Sequence, residues 1–351
     1  ELDKRGDTLG RIELYCARGA LTDTGSSPDL SFNDWEGYST IDNITYTYGN
    51  KQFKISYGDE LYIDMMKKWT RSKRDAEAQA QNGYKTLPQR VAAAATTGYW
   101  IADLQVPWAE MKKRIPMICL PNKIRVDVTF RALARVVRGS TTSTLACTIS
   151  ALKLRCHYTH HPQDYRTRLF TQVNSGKGVA VKISTKEFQR LNVITSTTTT
   201  RQEFPMNNIK NAAFAIHFKA NLQREVDGTS IPNTDFWNFK PPTRFWLEDN
   251  GQAITNTIEV TDTAYVKYGE YQLQQRMYPT GVVGFKVPTI AFCEEQYVEP
   301  SEDGCFGTRN FSKYNNPKFI VQYDSGIDGS LNGYGDVISC IHNLLIFQNG
   351  D

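Results

Sequence analysis

Strict two-residue alternation of apolar and polar positions dominates the chain. Arg11-Ile12-Glu13-Leu14-Tyr15-Cys16 alternates cleanly. Lys123 to Phe130 does the same, with Ile124, Val126, Val128 and Phe130 on one face. A side-chain period of two marks a strand with one face buried. Further strands are predicted at 44–48, 52–56, 99–106, 145–158, 179–183, 212–218, 281–292, 319–323 and 338–347, several of them rich in Val, Ile, Thr and aromatics. Tyr48-Gly49-Asn50 and Asn250-Gly251 read as tight hairpin turns, and Asp227-Gly228 and Asp328-Gly329 as loop signals. Many short strands divided by turn residues predict an all-β sandwich or barrel.

Helical signals are few. Gly58 to about Thr70 carries an apolar stripe at Leu61, Met65 and Trp69, with Asp59 as the expected N-cap and Lys67-Lys68 near the end. Arg74 to Gln81 extends that helix or forms an exposed turn, and a short helix is predicted over Gln163 to Phe170. Loops stand out by composition at 23–29, 139–144, 195–201, 221–242 and 299–316. A strand-rich first half ends in a polar connector near His160 to Arg168. The chain therefore divides into residues 1–162 and 163–351, each with about eight short strands, although the two halves show no evident sequence identity. Two consecutive copies of one β-sandwich plan are the simplest architecture.

Composition narrows the class. Lys and Arg number 41 and Asp and Glu 37, a net charge of +4. That near balance rules out little, although a highly basic nucleic-acid coat or tail would be more lopsided. No apolar run approaches the roughly 18 residues of a membrane-spanning helix. Seven cysteines without C-x-x-C spacing read as free thiols of a reducing compartment. The chain starts at Glu1 without an initiator Met, close to a strand. This reads as a processed product or a fragment, and the first strand of the first sandwich is expected to be missing from the chain or supplied by a segment outside it.

Candidate chemistry is sparse. Cys156, His157, His160 and His161 crowd together, but on a strand running into a connector, without further ligands, they do not predict a metal site. Asn174 to Gly178 lacks the spacing of a phosphate loop and reads as a turn. Glu294 and Glu295 are adjacent on a strand, face opposite ways and do not form a carboxylate pair. No catalytic residue, metal or cofactor is assigned, and the chain is read as a non-enzyme. Lys67, Lys68, Arg71, Lys73 and Arg74 form a basic run around Trp69 that suits anionic headgroups or acidic proteins; the competing view is a solvated helix end with Trp69 in the core. Lys112-Lys113-Arg114 is a shorter case. Asn43 and Asn310 match the N-glycosylation sequon. Asn43 falls inside a strand, which leaves Asn310 as the candidate.

The order of segments carries a resemblance. Gly6-Asp7-Thr8-Leu9-Gly10-Arg11 resembles the "nGDlvgr" strand opening of major capsid proteins of nucleocytoplasmic large DNA viruses. Trp35 to Tyr46, the Tyr48-Gly49-Asn50-Lys51-Gln52 hairpin and Tyr57-Gly58-Asp59-Glu60-Leu61-Tyr62 follow in that family's order. Leu104-Gln105-Val106-Pro107-Trp108 with Ile115-Pro116-Met117-Ile118-Cys119-Leu120 is similar to its "vPLpFWf...lPliaL" block, and Pro205 to Ala220 and Gly284 to Pro288 to later strands. Asn310-Phe311-Ser312-Lys313-Tyr314-Asn315 is similar to its "NFSriDn", with an insertion at Gly304 to Thr308 displacing the usual preceding Ser-Gly, and Ile341 to Gly350 to its last strand. Virophage and mobile-element capsid proteins fit the pattern equally well.

The resemblance implies an all-β double jelly roll, two eight-stranded sandwiches with few short helices. It implies homotrimers that form pseudo-hexagonal capsomers of an icosahedral shell, beside neighbouring capsomers, minor capsid or penton proteins and an internal membrane. The expected location is the virion, assembled in an infected cell, without sequence-specific nucleic-acid binding. Phe236, Trp237, Phe239 and Phe306 are then candidate interface residues on long loops, and the Lys67 run a candidate patch on the shell's interior side. The alternative is a carbohydrate- or receptor-binding β-sandwich whose loop aromatics stack on sugars.

Overall fold

The computed structural model describes residues 1–25, 29–109, 113–139, 144–175, 178–194, 200–207, 209, 212–222, 236–237, 239–260, 287–292, 308–324 and 333–347. The first half contains strands β1 (Thr8–Arg18), β2 (Thr22–Asp23), β3 (Ser31–Phe32), β4 (Ile41–Tyr48), β5 (Lys51–Tyr57), β6 (Gly98–Asp103), β7 (Ile124–Phe130), β8 (Val137–Arg138), β9 (Leu145–Ala146) and β10 (Ile149–Thr159). Helices α1 (Glu36–Thr40), α2 (Gly58–Lys68), α3 (Arg71–Gln81), α4 (Leu87–Ala94) and α5 (Leu133–Val136) interrupt them. Helix α6 (Gln163–Asn174) leads into the second half. There the strands are β11 (Val179–Ile194), β12 (Thr200–Pro205), β13 (Ala212–Leu222), β14 (Arg244–Asp249), β15 (Gln252–Ala253), β16 (Ile258–Glu259), β17 (Thr289–Ala291), β18 (Arg309–Asn310), β19 (Pro317–Tyr323) and β20 (Gly333–Phe347).

The fold is mostly β, and each half is a two-sheet sandwich. In the first half the sheet orders are β10-β1-β6 and β5-β4-β7, with short ladders β2-β9 and β3-β8. In the second they are β11-β20-β13-β17 and β12-β19-β14-β15, with β18 beside β13 and β16 beside β14. No described strand of one half pairs with a strand of the other. Alternation dictates which residues point inward: along β1, Ile12, Leu14 and Cys16 are buried. The hairpin turns need backbone in the left-handed region, and Gly49 (φ 56°) and Gly251 (φ 81°) supply it without a Cβ penalty.

Local corrections to the sequence reading concern mainly helices. Asp59 is not the N-cap of α2. Tyr57 is, and Glu60 accepts a hydrogen bond from the Tyr57 N–H at 3.2 Å while Asp59 turns inward. Only glycine fits at its first residue, Gly58, because a Cβ there would lie 2.2 Å from the Ile41 carbonyl oxygen and 2.4 Å from that of Tyr38. It stops at Lys68, and Thr70 caps a separate helix, α3, by accepting from the Lys73 N–H at 3.4 Å. Helix α4 was not anticipated, although Thr86-Leu87-Pro88-Gln89 holds its signal: Gln89 accepts from the Thr86 N–H at 2.9 Å, and Pro88 sits in the first turn. Helix α6 runs one turn past the predicted Phe170.

Candidate functional site

The two sandwiches meet across a buried charged seam, and α2 supplies its first side. Its short spacing places Asp59, Glu60, Asp64 and Lys67 along the helix, all at most 6 % exposed. The sheet β11-β20-β13-β17 supplies the other side: Lys186 on β11, Asp336 on β20, His217 and Lys219 on β13, and Thr289 on β17. Asp59 pairs with Lys219 and, at 2.7 Å, with Arg131; Lys219 also reaches Asp336 at 3.0 Å. Glu60 sits 3.3 Å from Lys54 and 3.2 Å from Lys186. Asp64 pairs with Lys186 and, at 3.1 Å, with Lys68. Lys67 donates to the Val287 carbonyl at 2.8 Å and to the Thr289 hydroxyl, which lies 2.8 Å from His217 Nδ1.

Electrostatics follow from that packing. Burial pushes the Asp59 carboxyl up, but Arg131 and Lys219 outweigh it and hold the group well below the usual carboxylate range. Burial lowers Lys186 against the pull of Glu60. Burial, with Lys67, Lys186 and Lys68 nearby, holds His217 well below its ordinary value, so its ring is neutral at pH 7. Charges taken out of water cost several kcal/mol each unless they are paired and hydrogen-bonded. Asp59 with Lys219, and Glu60 and Asp64 with Lys186, pair across the two halves, so these charges are satisfied only where the sandwiches meet. Apolar packing continues across the same joint: Val181, Ile183, Val287, Ile338 and Phe347 of the second half belong to the core formed by Leu14, Tyr46, Met65 and Trp108 of the first.

The loop aromatics are part of this joint and do not form an exposed interface. Trp237 is 7 % exposed, stacks on Tyr62 of α2 with ring centroids 3.9 Å apart, and donates through Nε1 to the Asp34 carbonyl at 2.7 Å. Phe239 is buried beside it, and Phe236 packs edge-on against Trp237, 4.9 Å from the Arg131 guanidinium. Phe306 lies outside the described residues, as do Glu294 and Glu295.

The basic run does not make a continuous patch either. Lys67 is committed to the seam, and Arg74 is buried and donates to the Trp69 carbonyl. Lys68 is spent on Asp64. Lys73 lies 3.4 Å over the Trp69 ring, and Arg71 is exposed and pairs with Asp75 at 3.8 Å. One helix ends and another starts inside the run, so its charges point in different directions. Sequence spacing along one assumed helix could not show this.

The remaining candidates are scattered. His157 lies 3.4 Å from Glu13, whereas His161 shares a 3.0 Å hydrogen bond with Thr8 and packs on Tyr165; the described residues contain no group of metal-ligating side chains. Cys16, Cys119, Cys147, Cys156 and Cys340 are free thiols. Asn43 is half-buried in β4. Asn310 is exposed, and its Oδ1 accepts from the Ser312 N–H at 3.0 Å and from the Ser312 hydroxyl at 2.7 Å. Sequence reasoning missed the seam. Its signal was the acidic-basic mixture on a helix that also carries an apolar stripe, which reads at first as a solvated face.

Comparison with known proteins bears on the architecture. No family model and no curated protein matches the sequence. Solved structures do match over nearly the whole chain. PBCV-1 VP54, as fitted into a reconstruction of the virophage Sputnik, is 12 % identical with a TM-score of 0.74, covering 99 % of this chain and 90 % of that one. The Faustovirus major capsid protein is 9 % identical with a TM-score of 0.67, covering 99 % and 87 %. The mavirus major capsid protein is 9 % identical with a TM-score of 0.53, covering 99 % and 84 %. With the two sandwiches in tandem, the chain has the double jelly-roll fold shared with viral major capsid proteins.

Proposed function

We propose that the protein is a structural shell subunit, a major capsid protein whose homotrimers form pseudo-hexagonal capsomers of an icosahedral virion. The observation that carries this is the seam. Two sandwiches of one plan, divided at α6 into residues 1–162 and 163–351, are locked side by side by paired buried charges. A subunit with two similar lobes in fixed relation turns three-fold symmetry into a near-hexagonal outline, which tiles a surface. Trimer contacts are then heterologous, each subunit offering different surfaces to its two neighbours. The capsid fold supports the same conclusion, and no enzymatic role is proposed.

In this reading the protein resides in the virion with its thiols reduced during assembly, in contact with neighbouring capsomers, minor capsid proteins and an internal membrane. The test is light scattering of the purified protein coupled to negative-stain microscopy. Particles of three times the monomer mass with a near-hexagonal outline are expected. A protein that stays monomeric under every assembly condition would overturn the proposal.

A further inference from the structure

The two halves align strand by strand, although they share no evident sequence identity. Strand β1 bulges by one residue between Leu9 and Ile12, and β13 between Ala213 and Ala215. Beyond the bulges Leu14 opposes Leu154 where Phe218 opposes Val337. Sheet order β10-β1-β6 thus repeats β20-β13-β17, and β7-β4-β5 repeats β19-β14-β15.

This register gives the seam residues of the second half counterparts in the first. His217 of β13 opposes Thr289 of β17, and at the same place Glu13 of β1 opposes Asp103 of β6. Lys219 opposes Asp336, and Tyr15 opposes Lys153. Alternation turns all of these positions away from the core of their own sandwich. In the second half the first sandwich covers them, and His217, Lys219, Asp336 and Thr289 are at most 7 % exposed. In the first half the same face is open among the described residues. Tyr99 is 61 % exposed and stacks on Tyr15 with ring centroids 6.0 Å apart, and Lys153 and Arg155 are exposed beside them. Glu13 and Asp103 are sunk into this face and pair with Arg11 at 2.5 and 3.0 Å. Glu13 Oε2 accepts no hydrogen bond among the described residues; Arg155 stands 3.5 Å and His157 3.4 Å from it. An exposed aromatic pair ringed by cations has the makeup of a contact centre rather than of a solvated face.

Resting on the shell-subunit reading, we propose that this face, centred on Tyr15, Tyr99, Lys153 and Arg155, binds the second sandwich of another copy of the chain. It would repeat between chains the contact that the seam makes within one. Inside the chain the receiving side is α2 with β5, whose Lys54 donates to the Ser184 carbonyl at 3.4 Å. The β15 edge holds the place of β5 in the second sandwich, and it is exposed at Gln252 and Ala253. Charge favours this occupant: basic residues outnumber acidic ones in 1–162, whereas acidic residues slightly outnumber basic ones in 163–351. Such a contact joins two unlike surfaces, so it runs head to tail and closes a ring instead of a two-fold dimer. The lobes of three copies then alternate around that ring.

Photocrosslinking of the whole chain tests this, with Tyr99→p-benzoylphenylalanine in a mixture of unlabelled and heavy-isotope protein. Peptides joining position 99 to residues 163–351 of another copy are expected. Capture of the first half of another copy, capture within the same chain alone, or no capture in a sample that light scattering shows to be trimeric overturns this contact and leaves the trimer standing. A protein that stays monomeric throughout overturns both. Tyr99→Asp with Lys153→Glu gives a second readout. Both side chains are exposed, so the circular dichroism of the sheets should stay unchanged while the trimer dissociates about 100-fold more readily. Unchanged assembly in that folded variant overturns the proposal, and the crosslink decides alone should the variant not fold.

Discussion

Among the described residues of the second sandwich the regular structure after α6 is nearly all strand, and the first places three consecutive helices, α2 to α4, between its hairpin β4-β5 and strand β6. Two of these helices do specific work. Helix α2 fills the joint with the second sandwich, and α3 packs on β6, its Glu77 accepting from the Asp103 N–H at 2.9 Å. The same strand order therefore survives in two halves with different loops, different residues and different edges. Strand order depends on which faces are apolar and where bulges fall, and those features repeat without any residue needing to repeat. What differs is placed in the connections, where a new surface costs the sheets nothing.

The largest test of this contrast is to cut the joint. Lys186→Ala leaves Glu60 and Asp64 buried with only Lys54 and Lys68 for compensation. A loss of about 3–5 kcal/mol is expected in urea unfolding. The single transition should also split, because each sandwich keeps its own sheets. A single transition with an unchanged midpoint would mean that the seam does not hold the halves together.

Trp237→Ala addresses the same joint from the loop side. Removing a buried indole stacked on Tyr62 should cost about 3–4 kcal/mol in the isolated monomer. If Trp237 acted instead at a contact between subunits, the monomer would keep its stability and only assembly would suffer. The two outcomes separate readily by monomer unfolding against light scattering of the assembled form.

Acid weakens the joint through His217. Its folded-state pKa lies below the unfolded value near 6.5, so below that pH the unfolded chain binds a proton that the folded chain refuses. Stability is full above the ordinary histidine value near 6.5 and is lost progressively as pH falls below it. The Asp59 carboxylate responds only at lower pH: its depressed pKa stabilises above the ordinary carboxylate value near 3.9, and that contribution is lost as pH falls further. Stability measured from pH 7.5 to 5 should therefore lose most of its slope in His217→Gln, and an unchanged slope would place the sensitivity elsewhere.

The strands were legible because their alternation is local. Ile124, Val126, Val128 and Phe130 share a face in β7 as their spacing requires, and the Gly49 and Asn250-Gly251 turns fall where the sequence puts them. The seam was not legible, because Asp59 and Lys219 lie far apart in sequence and each alone looks like an ordinary surface charge. For the same reason Asp59 read as a cap and Lys67 as part of a patch: helix-start and charge-run rules see only neighbours in sequence. Trp237 and Phe239 read as candidate interface residues from their loop positions alone, whereas in the structure both pack against Tyr62 of the same chain.

The smallest expected effect is the most specific to the comparison between halves. Leu154 and Val337 occupy one register, side by side with Leu14 and Phe218, and differ chiefly in whether a further strand lies beyond them. A lysine at position 337 must be buried without a partner beside β11, so Val337→Lys should prevent folding of the second sandwich or cost several kcal/mol. Leu154→Lys places its ammonium in water at an edge with no strand partner among the described residues and should change stability by no more than about 0.5 kcal/mol. Solubility should rise, because a charged edge resists pairing with other strands. If Leu154→Lys proved as damaging as Val337→Lys, the edge of β10 would be covered in solution, and the two sandwiches would be equally closed.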